Sequence, residues 1–265
     1  MIAAKSSDDK IVWSWHIWVT KETFADASLT TVATGSHNYK VTPVNLGWVP
    51  TGGDGKQGYA PYYQWGRKDA FIPSTGSGNT DHTVYNISNA TVTGLAYTGS
   101  TTATIADNIK NPTTFYYNSS TNGPCDTQYY NMWDAQQTAD GNITTATKKT
   151  VYDPCPAGFC VPTGNLYYFM CNGNNRSDSN WDGTNKGKTW QQTTYSTNTT
   201  GPDLYFPASG SRGFNSGTLN DDGPCWSASP NGSSYGHHLY FNSSYWFWYY
   251  TSRAYGFPIR AVAEE

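Results

Sequence analysis

The sequence is poor in charge. Lysine, arginine, aspartate and glutamate together make up only 13% of its 265 residues, and the net charge is −3. The basic side chains are scattered, and the densest basic pair is Lys148-Lys149. Because a nucleic-acid interface needs clustered cations to face the phosphates, this distribution predicts no nucleic-acid partner.

Long apolar runs are also lacking. No stretch reaches the length of about 18 apolar residues that a membrane-spanning helix needs, so no membrane insertion is predicted. The opening residues Met1 to Lys5 lack the apolar centre of an export signal. The protein is therefore expected either to be cytoplasmic or phage-made, or to have lost an export signal.

Patterns typical of catalytic and metal sites are missing. The cysteines are odd in number and fit no zinc spacing, so we expect small buried side chains, with one disulfide as an open alternative. The histidines show no metal-ligand spacing, and no nucleophile elbow or phosphate-binding glycine loop occurs. We therefore predict no catalytic residue, no metal and no cofactor, and a protein that is not an enzyme. These residues are Cys125, Cys155, Cys160, Cys171 and Cys225, with His16, His37, His82, His237 and His238.

Glycine, asparagine, serine, threonine and tyrosine are abundant, which favours a loop-rich β or α+β protein. Residues 11–20 alternate in the manner of a strand and are apolar on both faces. This predicts a central, covered strand with Trp15 buried and His16 hydrogen-bonded in the core. A further strand is expected at Leu204–Pro207.

Two short helices are predicted from local signals. Residues 62–65 are expected to form an aromatic helix that ends at Gly66. Thr163 is expected to cap a brief helix that continues through Met170.

Six consecutive aromatic residues occupy positions 245–250. They cannot all face a core, because alternate side chains of a strand point to opposite faces and a helix would also place some of them in water. Exposed aromatic surface is costly unless it is bound, and binding surfaces are enriched in tyrosine and tryptophan. The segment therefore predicts an exposed recognition surface.

The order of seven motifs resembles a known family. They are WSWHIWVT at 13–20, NLG at 45–47, YYQWGRKD at 62–69, NPTTF at 111–115, YDPCPAG at 152–158, YFPASG at 205–210 and the ending at 226–262. Together they resemble the major paralogous surface domain of gut bacteria and their phages, over nearly the whole chain. The C-terminal part is similar to the variable proteins of diversity-generating retroelements. The resemblance implies an α+β, C-type lectin-like fold that is loop-rich with long polar insertions.

The composition along the chain predicts the domain organisation, and the resemblance implies a variable region at its end. Residues 11–265 are expected to form a single domain, and residues 1–10 are expected to be disordered or a leader. A polar insertion is expected at about 73–125, and the variable region at about 225–262.

The resemblance also implies a ligand-binding face built from varied side chains. In such systems template adenines are copied into random bases, so an AAC codon for Asn becomes any codon that ends in C. Codons that end in C do not encode Lys, Glu, Gln, Met or Trp. Residues 231–255 contain no Lys, Glu, Gln or Met, whereas Trp246 and Trp248 do not fit this rule. The positions carried over as varied and ligand-facing are Ser234, Tyr235, His237, His238, Tyr240, Tyr245, Trp246, Phe247, Trp248, Tyr249, Tyr250, Ser252 and Tyr255.

Scaffold positions are implied as well. Arg253 and Arg260 are expected either to tie loops through carboxylates or carbonyls or to be ordinary surface charges. Cys225 and Pro258 depart from the residues common in the family at their positions. The full scaffold set is Trp226, Leu239, Phe241, Arg253, Gly256, Phe257 and Arg260.

The predicted function is binding of a protein or glycan by a hypervariable, aromatic-rich surface, diversified by a retroelement and displayed on a cell surface or phage virion. The alternative is a non-diversified fimbrial or cell-surface adhesin, a structural subunit of the same fold. An enzyme of the related formylglycine-generating type requires a pair of active-site cysteines near the C-terminal core, where only Cys225 occurs.

Overall fold

The chain folds mainly into short strands. The computed structural model describes residues 1–73, 81–85, 88–92, 96–99, 103–117, 129–137, 141, 144–178, 180–191, 201–213, 219–220 and 223–265. Strands account for 37% of the structure, and two short α-helices occur among the described residues. The expected α+β, C-type lectin-like class is therefore wrong, and the protein is a small β-rich domain. Its many aromatic and β-branched residues favour strands, and no long segment has helical periodicity.

Strands follow one another along the described residues, with the two helices set between them. The helices are α1 (Ile105–Lys110) and α2 (Gly164–Met170), with a 3-10 turn at Asp26–Ser28. The strands are β1 (Ile2–Lys5), β2 (Ile11–Trp15), β3 (Thr30–Ala33), β4 (Asn38–Val41), β5 (Val49–Pro50), β6 (Gly58–Tyr59), β7 (Tyr63–Gln64), β8 (Val84–Tyr85), β9 (Thr91–Val92), β10 (Ala96–Gly99), β11 (Thr114–Tyr117), β12 (Phe159–Cys160), β13 (Asn175–Ser177), β14 (Trp181–Asp182), β15 (Gly187–Trp190), β16 (Leu204–Pro207), β17 (Ser211–Arg212), β18 (Leu219–Asn220), β19 (Cys225–Asn231), β20 (Tyr235–Phe241), β21 (Tyr245–Ser252), β22 (Gly256–Phe257) and β23 (Val262–Ala263).

The sheet with the longest strands has the order β13-β21-β20-β19 and is antiparallel. Strands β20 and β21 form a hairpin in which Phe241 pairs with Trp246 and Tyr235 pairs with Ser252. The turn between them is closed by Asn242, whose side-chain oxygen accepts the backbone N–H groups of Ser244 and Tyr245, both at 2.9 Å. This local Asx turn fixes the register of the hairpin.

The other sheets are built from shorter strands. Their orders are β12-β23-β4-β3, β14-β15-β16 and β18-β17-β22-β7, and further strands pair in twos. Two hydrophobic clusters fill the space between them. The first cluster is centred on α2 and includes Val41, Leu166, Trp190, Phe206, Leu239, Phe241 and Trp246. The second includes Tyr63, Trp65, Trp133, Val161, Trp226, Phe257 and Ile259.

Helix α2 confirms one local prediction. It begins after Thr163 and ends at Met170, as expected. The Thr163 hydroxyl does not cap the helix, because it hydrogen-bonds the Tyr39 hydroxyl at 2.5 Å. The strand expected at Leu204–Pro207 is also confirmed, as β16.

The aromatic helix expected at residues 62–65 is wrong. Tyr63–Gln64 form β7, which pairs with β22. Trp65 continues into the second cluster, where its indole nitrogen donates to the Ser227 carbonyl at 3.0 Å. Tertiary pairing therefore overrides the local signal, and Gly66 adopts a left-handed turn with φ of 85° after the strand.

The strand expected across residues 11–20 is shorter and lies at the surface. Ile11–Trp15 form β2, which pairs with β1 alone. Trp15 is 50% exposed, so the prediction of a central strand with a buried Trp15 is wrong. Strand β1 lies within the segment expected to be disordered or a leader. Much of the insertion expected at about 73–125 lies outside the described residues.

The two tryptophans should respond differently to truncation. Trp246→Ala is expected to lower the free energy of unfolding by about 3–5 kcal/mol, because it empties a fully buried site. Trp15→Ala is expected to cost less than about 1 kcal/mol, since the side chain is half in water. Urea unfolding followed by circular dichroism measures both values. An equally large loss for Trp15→Ala would contradict the surface placement of β2.

Candidate ligand-binding face

The β20–β21 hairpin has two faces that are covered at opposite ends. Leu239, Phe241, Trp246 and Trp248 share one face, which packs on the first cluster and on α2; we call it the α2 face. The other face is the outer face. There His238 is covered by Trp226 and Phe257, at ring-centroid distances of 5.6 and 5.0 Å. The remainder of the outer face lies open.

Four rings occupy this open part of the outer face. Tyr240 lies opposite Phe247 with ring centroids 5.8 Å apart, and Tyr245 lies 5.4 Å from Phe247. Tyr245 is 43% and Tyr249 is 59% exposed, whereas Tyr240 and Phe247 are half-buried. We call Tyr240, Tyr245, Phe247 and Tyr249 the ring patch. Tyr240, Tyr245 and Phe247 contact one another, whereas Tyr249 lies 6.1 Å from the His238 ring.

A second group of rings lies at the open end of the α2 face. His237 stacks on Trp248 with centroids 4.2 Å apart and an interplanar angle of 10°. Tyr250 is 45% exposed and packs against Tyr235 at 5.6 Å. Tyr250 also stacks on Tyr249 of the ring patch at 5.4 Å, so the two groups form one continuous aromatic surface.

Trp246 does not belong to this surface. Its side chain is fully buried between Phe206 and Phe241, with centroids 5.6 and 5.0 Å away. Its indole nitrogen donates to the Asp178 carboxylate at 2.6 Å, and Asp178 pairs with the buried Lys188 at 2.8 Å. The expectation that Trp246 faces a ligand is therefore wrong, because the two-residue repeat of β21 turns it inward.

Other expected ligand-facing residues are also buried or half-buried. His238 and Ser252 are buried, so placing them on a ligand-facing surface is wrong. Trp248 is half-buried against α2, where a side chain at Gly164 would come within 2.1 Å of its ring. Ser234 and Tyr255 are half-buried at the end of the hairpin.

The hairpin end is fixed by a buried arginine. Arg253 donates to the carbonyls of Gly232 at 2.9 Å and of Tyr235 and Tyr129 at 3.1 Å each. Its guanidinium also lies 4.2 Å from the centre of the Trp65 ring. The expectation that Arg253 ties loops through carbonyls is therefore confirmed, and the surface-charge alternative is wrong.

A second buried arginine, Arg260, also joins segments that are distant in the sequence. It donates to the Asn45 side chain at 2.8 Å and to the carbonyls of Thr42 and Tyr205 at 3.1 and 2.8 Å. Burial lowers its pKa to about 10, which leaves it charged at neutral pH. Without this guanidinium, the carbonyls that accept from it would lose a buried donor.

The aromatic surface carries no formal charge. Residues 231–252 contain no Asp, Glu, Lys or Arg. Burial lowers the pKa of His237 to about 4 and that of His238 to about 3, so both imidazoles are neutral at pH 7. Such a surface binds through ring contact and through tyrosine hydroxyls.

Strand β13 was missed by the sequence-based predictions. Residues 172–202 have the composition of a polar loop, yet Asn175–Ser177 pair with the first half of β21 and Asp178 fixes Trp246. A strand of three polar residues has no hydrophobic periodicity to detect, so β13 is recognised only from its pairing with β21.

Other kinds of site find little support in the described residues. Cys155, Cys160, Cys171 and Cys225 are free and buried, and burial raises the pKa of the Cys225 thiol to about 12. Over the described ranges no three His, Cys, Asp or Glu side chains gather as metal ligands would. In that same part of the chain, no helix has both the length and the apolar character needed to cross a bilayer.

Searches against known protein families, curated proteins and solved structures found no match for this chain.

Both hairpin histidines should make the fold less stable in acid. Their folded pKa values are about 4 and about 3, whereas histidine in an unfolded chain titrates near 6.5. Below about pH 6.5 the unfolded state therefore takes up protons that the folded state does not, and stability present above that pH is lost toward the folded pKa values. Each histidine is expected to remove about 1–2 kcal/mol between pH 7 and pH 5.

Urea unfolding at pH 7, 6 and 5 tests this expectation. The variant His237→Gln/His238→Gln should show a clearly shallower loss of stability with falling pH than the wild type. The comparison concerns the slope, because the substitutions also change packing at every pH. A variant with the wild-type slope would show that the two imidazoles are not held neutral.

Proposed function

We propose that this protein is a binding module that recognises a protein or a glycan with the aromatic surface of the β20–β21 hairpin. The observation that carries the proposal is the ring patch, which leaves Tyr245 and Tyr249 about half exposed on a strand whose alternate residues are anchored in the core. Exposed rings on a rigid element lose little entropy on binding.

The neutrality of the surface narrows the kind of contact it makes. With no charged residue between positions 231 and 252, it offers no ionic attraction to a highly charged target. Tyrosine combines a flat apolar ring with a hydroxyl that donates and accepts hydrogen bonds. This suits neutral patches of a protein and the mixed apolar and hydroxylated faces of a glycan.

We also propose that the exposed hairpin positions are diversified by a retroelement, and that the protein acts on a cell surface or a phage virion. The division between exposed and buried side chains supports this proposal. The ring-patch residues lie outside both hydrophobic clusters, so changing them leaves the clusters intact. Trp246 and Trp248, which do not fit the codon rule, pack against the core and are therefore interpreted as unvaried scaffold.

The flanking DNA tests the diversification proposal. We expect a near-copy of the 3′ end of the gene beside a reverse-transcriptase gene, with differences confined to template adenines. Those differences should fall in codons for exposed residues such as Tyr245 and Tyr249 and spare the codon for Trp246. Differences spread evenly over buried and exposed codons would contradict the proposal.

A triple variant tests the binding face itself. Tyr245→Ala/Phe247→Ala/Tyr249→Ala is expected to weaken binding at least about 100-fold, since each exposed anchor ring contributes about 2 kcal/mol or more. The melting temperature should stay within a few degrees of the wild type, because the removed rings lie outside both clusters. Targets are first found with labelled wild-type protein on a glycan array and on a panel of bacterial cells.

Tyr85→Ala supplies the matched control. Tyr85 is an exposed tyrosine on β8, which pairs with β9 and not with a hairpin strand, and its removal should leave binding unchanged. If the triple variant bound the same target with the wild-type Kd, the ring patch would not be the binding face. A large fall in its melting temperature would show instead that the rings support the fold.

A further inference from the structure

A cleft of about 480 Å³ lies between the end of β2 and the loop at residues 151–157. Its size falls within the range of roughly 300–1,000 Å³ that is usual for small-molecule sites. Trp13, Trp15 and Trp18 line it, together with Lys68 and Asp153. None of the ring-patch residues contributes to it, so this cleft is a separate site.

The tryptophan side of the cleft is held in a fixed shape. Ser14 donates to Asp69 at 3.1 Å, and the Trp18 indole nitrogen donates to the Trp48 carbonyl at 3.2 Å. His16 hydrogen-bonds the Tyr63 hydroxyl at 3.1 Å. Trp15 nevertheless remains half exposed and Trp13 and Trp18 half-buried, so indole surface is open to a ligand.

Hydrogen bonds fix the shape of the loop at residues 151–157, which forms the other side of the cleft. Asp153 accepts the backbone N–H groups of Cys155 and Val161, both at 2.8 Å. Lys149 donates to the carbonyls of Cys155 and Pro156 at 2.6 and 2.8 Å. These bonds hold the loop open before any ligand arrives, which reduces the entropy lost on binding.

The charged groups at the cleft already have partners. Lys68 pairs with Asp69 at 2.7 Å, and Arg67 pairs with the same carboxylate at 3.0 Å. Burial raises the pKa of Asp153 to about 6, while the nearby Lys149 opposes that rise. Because Lys68 is already paired with Asp69 and both oxygens of Asp153 accept backbone N–H groups, the cleft favours a neutral ligand.

Polar atoms for such a ligand are present beside the rings. The Lys68 ammonium donates to Ser14 at 2.5 Å and to Asp69, and no described residue accepts its third proton. It lies 4.7 Å from the centre of the Trp13 ring. The site therefore offers a flat apolar wall next to a hydrogen-bond donor.

We propose that this cleft binds a neutral sugar ring. A pyranose has one face of C–H groups, which packs on an indole, and an edge of hydroxyls, which bonds to polar side chains. Trp15 supplies the open indole face, and the Lys68 ammonium donates to a ring hydroxyl. The proposal does not depend on the function of the hairpin.

Titration with neutral disaccharides tests the proposal. Maltose, lactose, cellobiose and N,N′-diacetylchitobiose are each added to the protein at millimolar concentration. The indole N–H signals are followed by NMR and assigned with single Trp→Phe variants. We expect at least one sugar to shift the signals of Trp13, Trp15 and Trp18 saturably.

Variants then locate the site. Trp15→Ala should weaken that sugar at least about tenfold, whereas Trp15→Phe should keep most of the affinity because an aromatic face remains. Tyr249→Ala should leave the titration unchanged, which separates this cleft from the hairpin surface. Since Trp15 is half exposed, both Trp15 variants are expected to fold.

Three outcomes would overturn the proposal. In the first, none of the four sugars shifts the cleft signals. In the second, Trp15→Ala binds the sugar as the wild type does. In the third, a proline-rich peptide shifts these signals while the sugars do not, which would assign the aromatic cleft to an extended peptide instead.

Discussion

The structure depends on the packing of the β20–β21 hairpin against two hydrophobic clusters. Along β20 and β21 successive side chains point to opposite faces, and each face is covered over only part of its length. Trp246 and Phe241 enter the first cluster, and His238 meets Trp226 in the second. Residues of the uncovered parts, such as Tyr249, are then forced into solvent. Exposure of the rings is thus a consequence of anchoring their neighbours.

Short strands and irregular loops leave many backbone carbonyls without a main-chain hydrogen-bond donor. Buried arginines donate to several of these carbonyls. Arg253 and Arg260 each join segments far apart in the sequence through several carbonyls. Most of these partners are main-chain carbonyls, which are present whatever side chain stands there. The frame can therefore stay constant while exposed side chains of the hairpin change, which is what a diversified binding surface would require.

The protein keeps several of its few charges inside and shows neutral aromatic surface outside. Lys188 with Asp178, and Lys68 with Asp69, are buried ion pairs next to tryptophan rings. In the first pair the charges fix Trp246 within the core. In the second they stand beside the open cleft at Trp15. The same combination of indole and paired charge thus stabilises the fold in one place and borders a ligand-sized space in the other.

Local sequence determined the elements whose signals are short in range. Thr163 and the residues after it predicted α2, the β16 strand was expected at Leu204–Pro207, and the aromatic run predicted an exposed aromatic surface. Periodicity shows which residues share a face, but it does not show what covers that face. For this reason Trp15 was expected to be buried and Trp246 exposed, and tertiary packing decided the opposite: among the described strands β2 pairs with β1 alone and leaves Trp15 half exposed, whereas β21 lies against α2, β13 and Asp178.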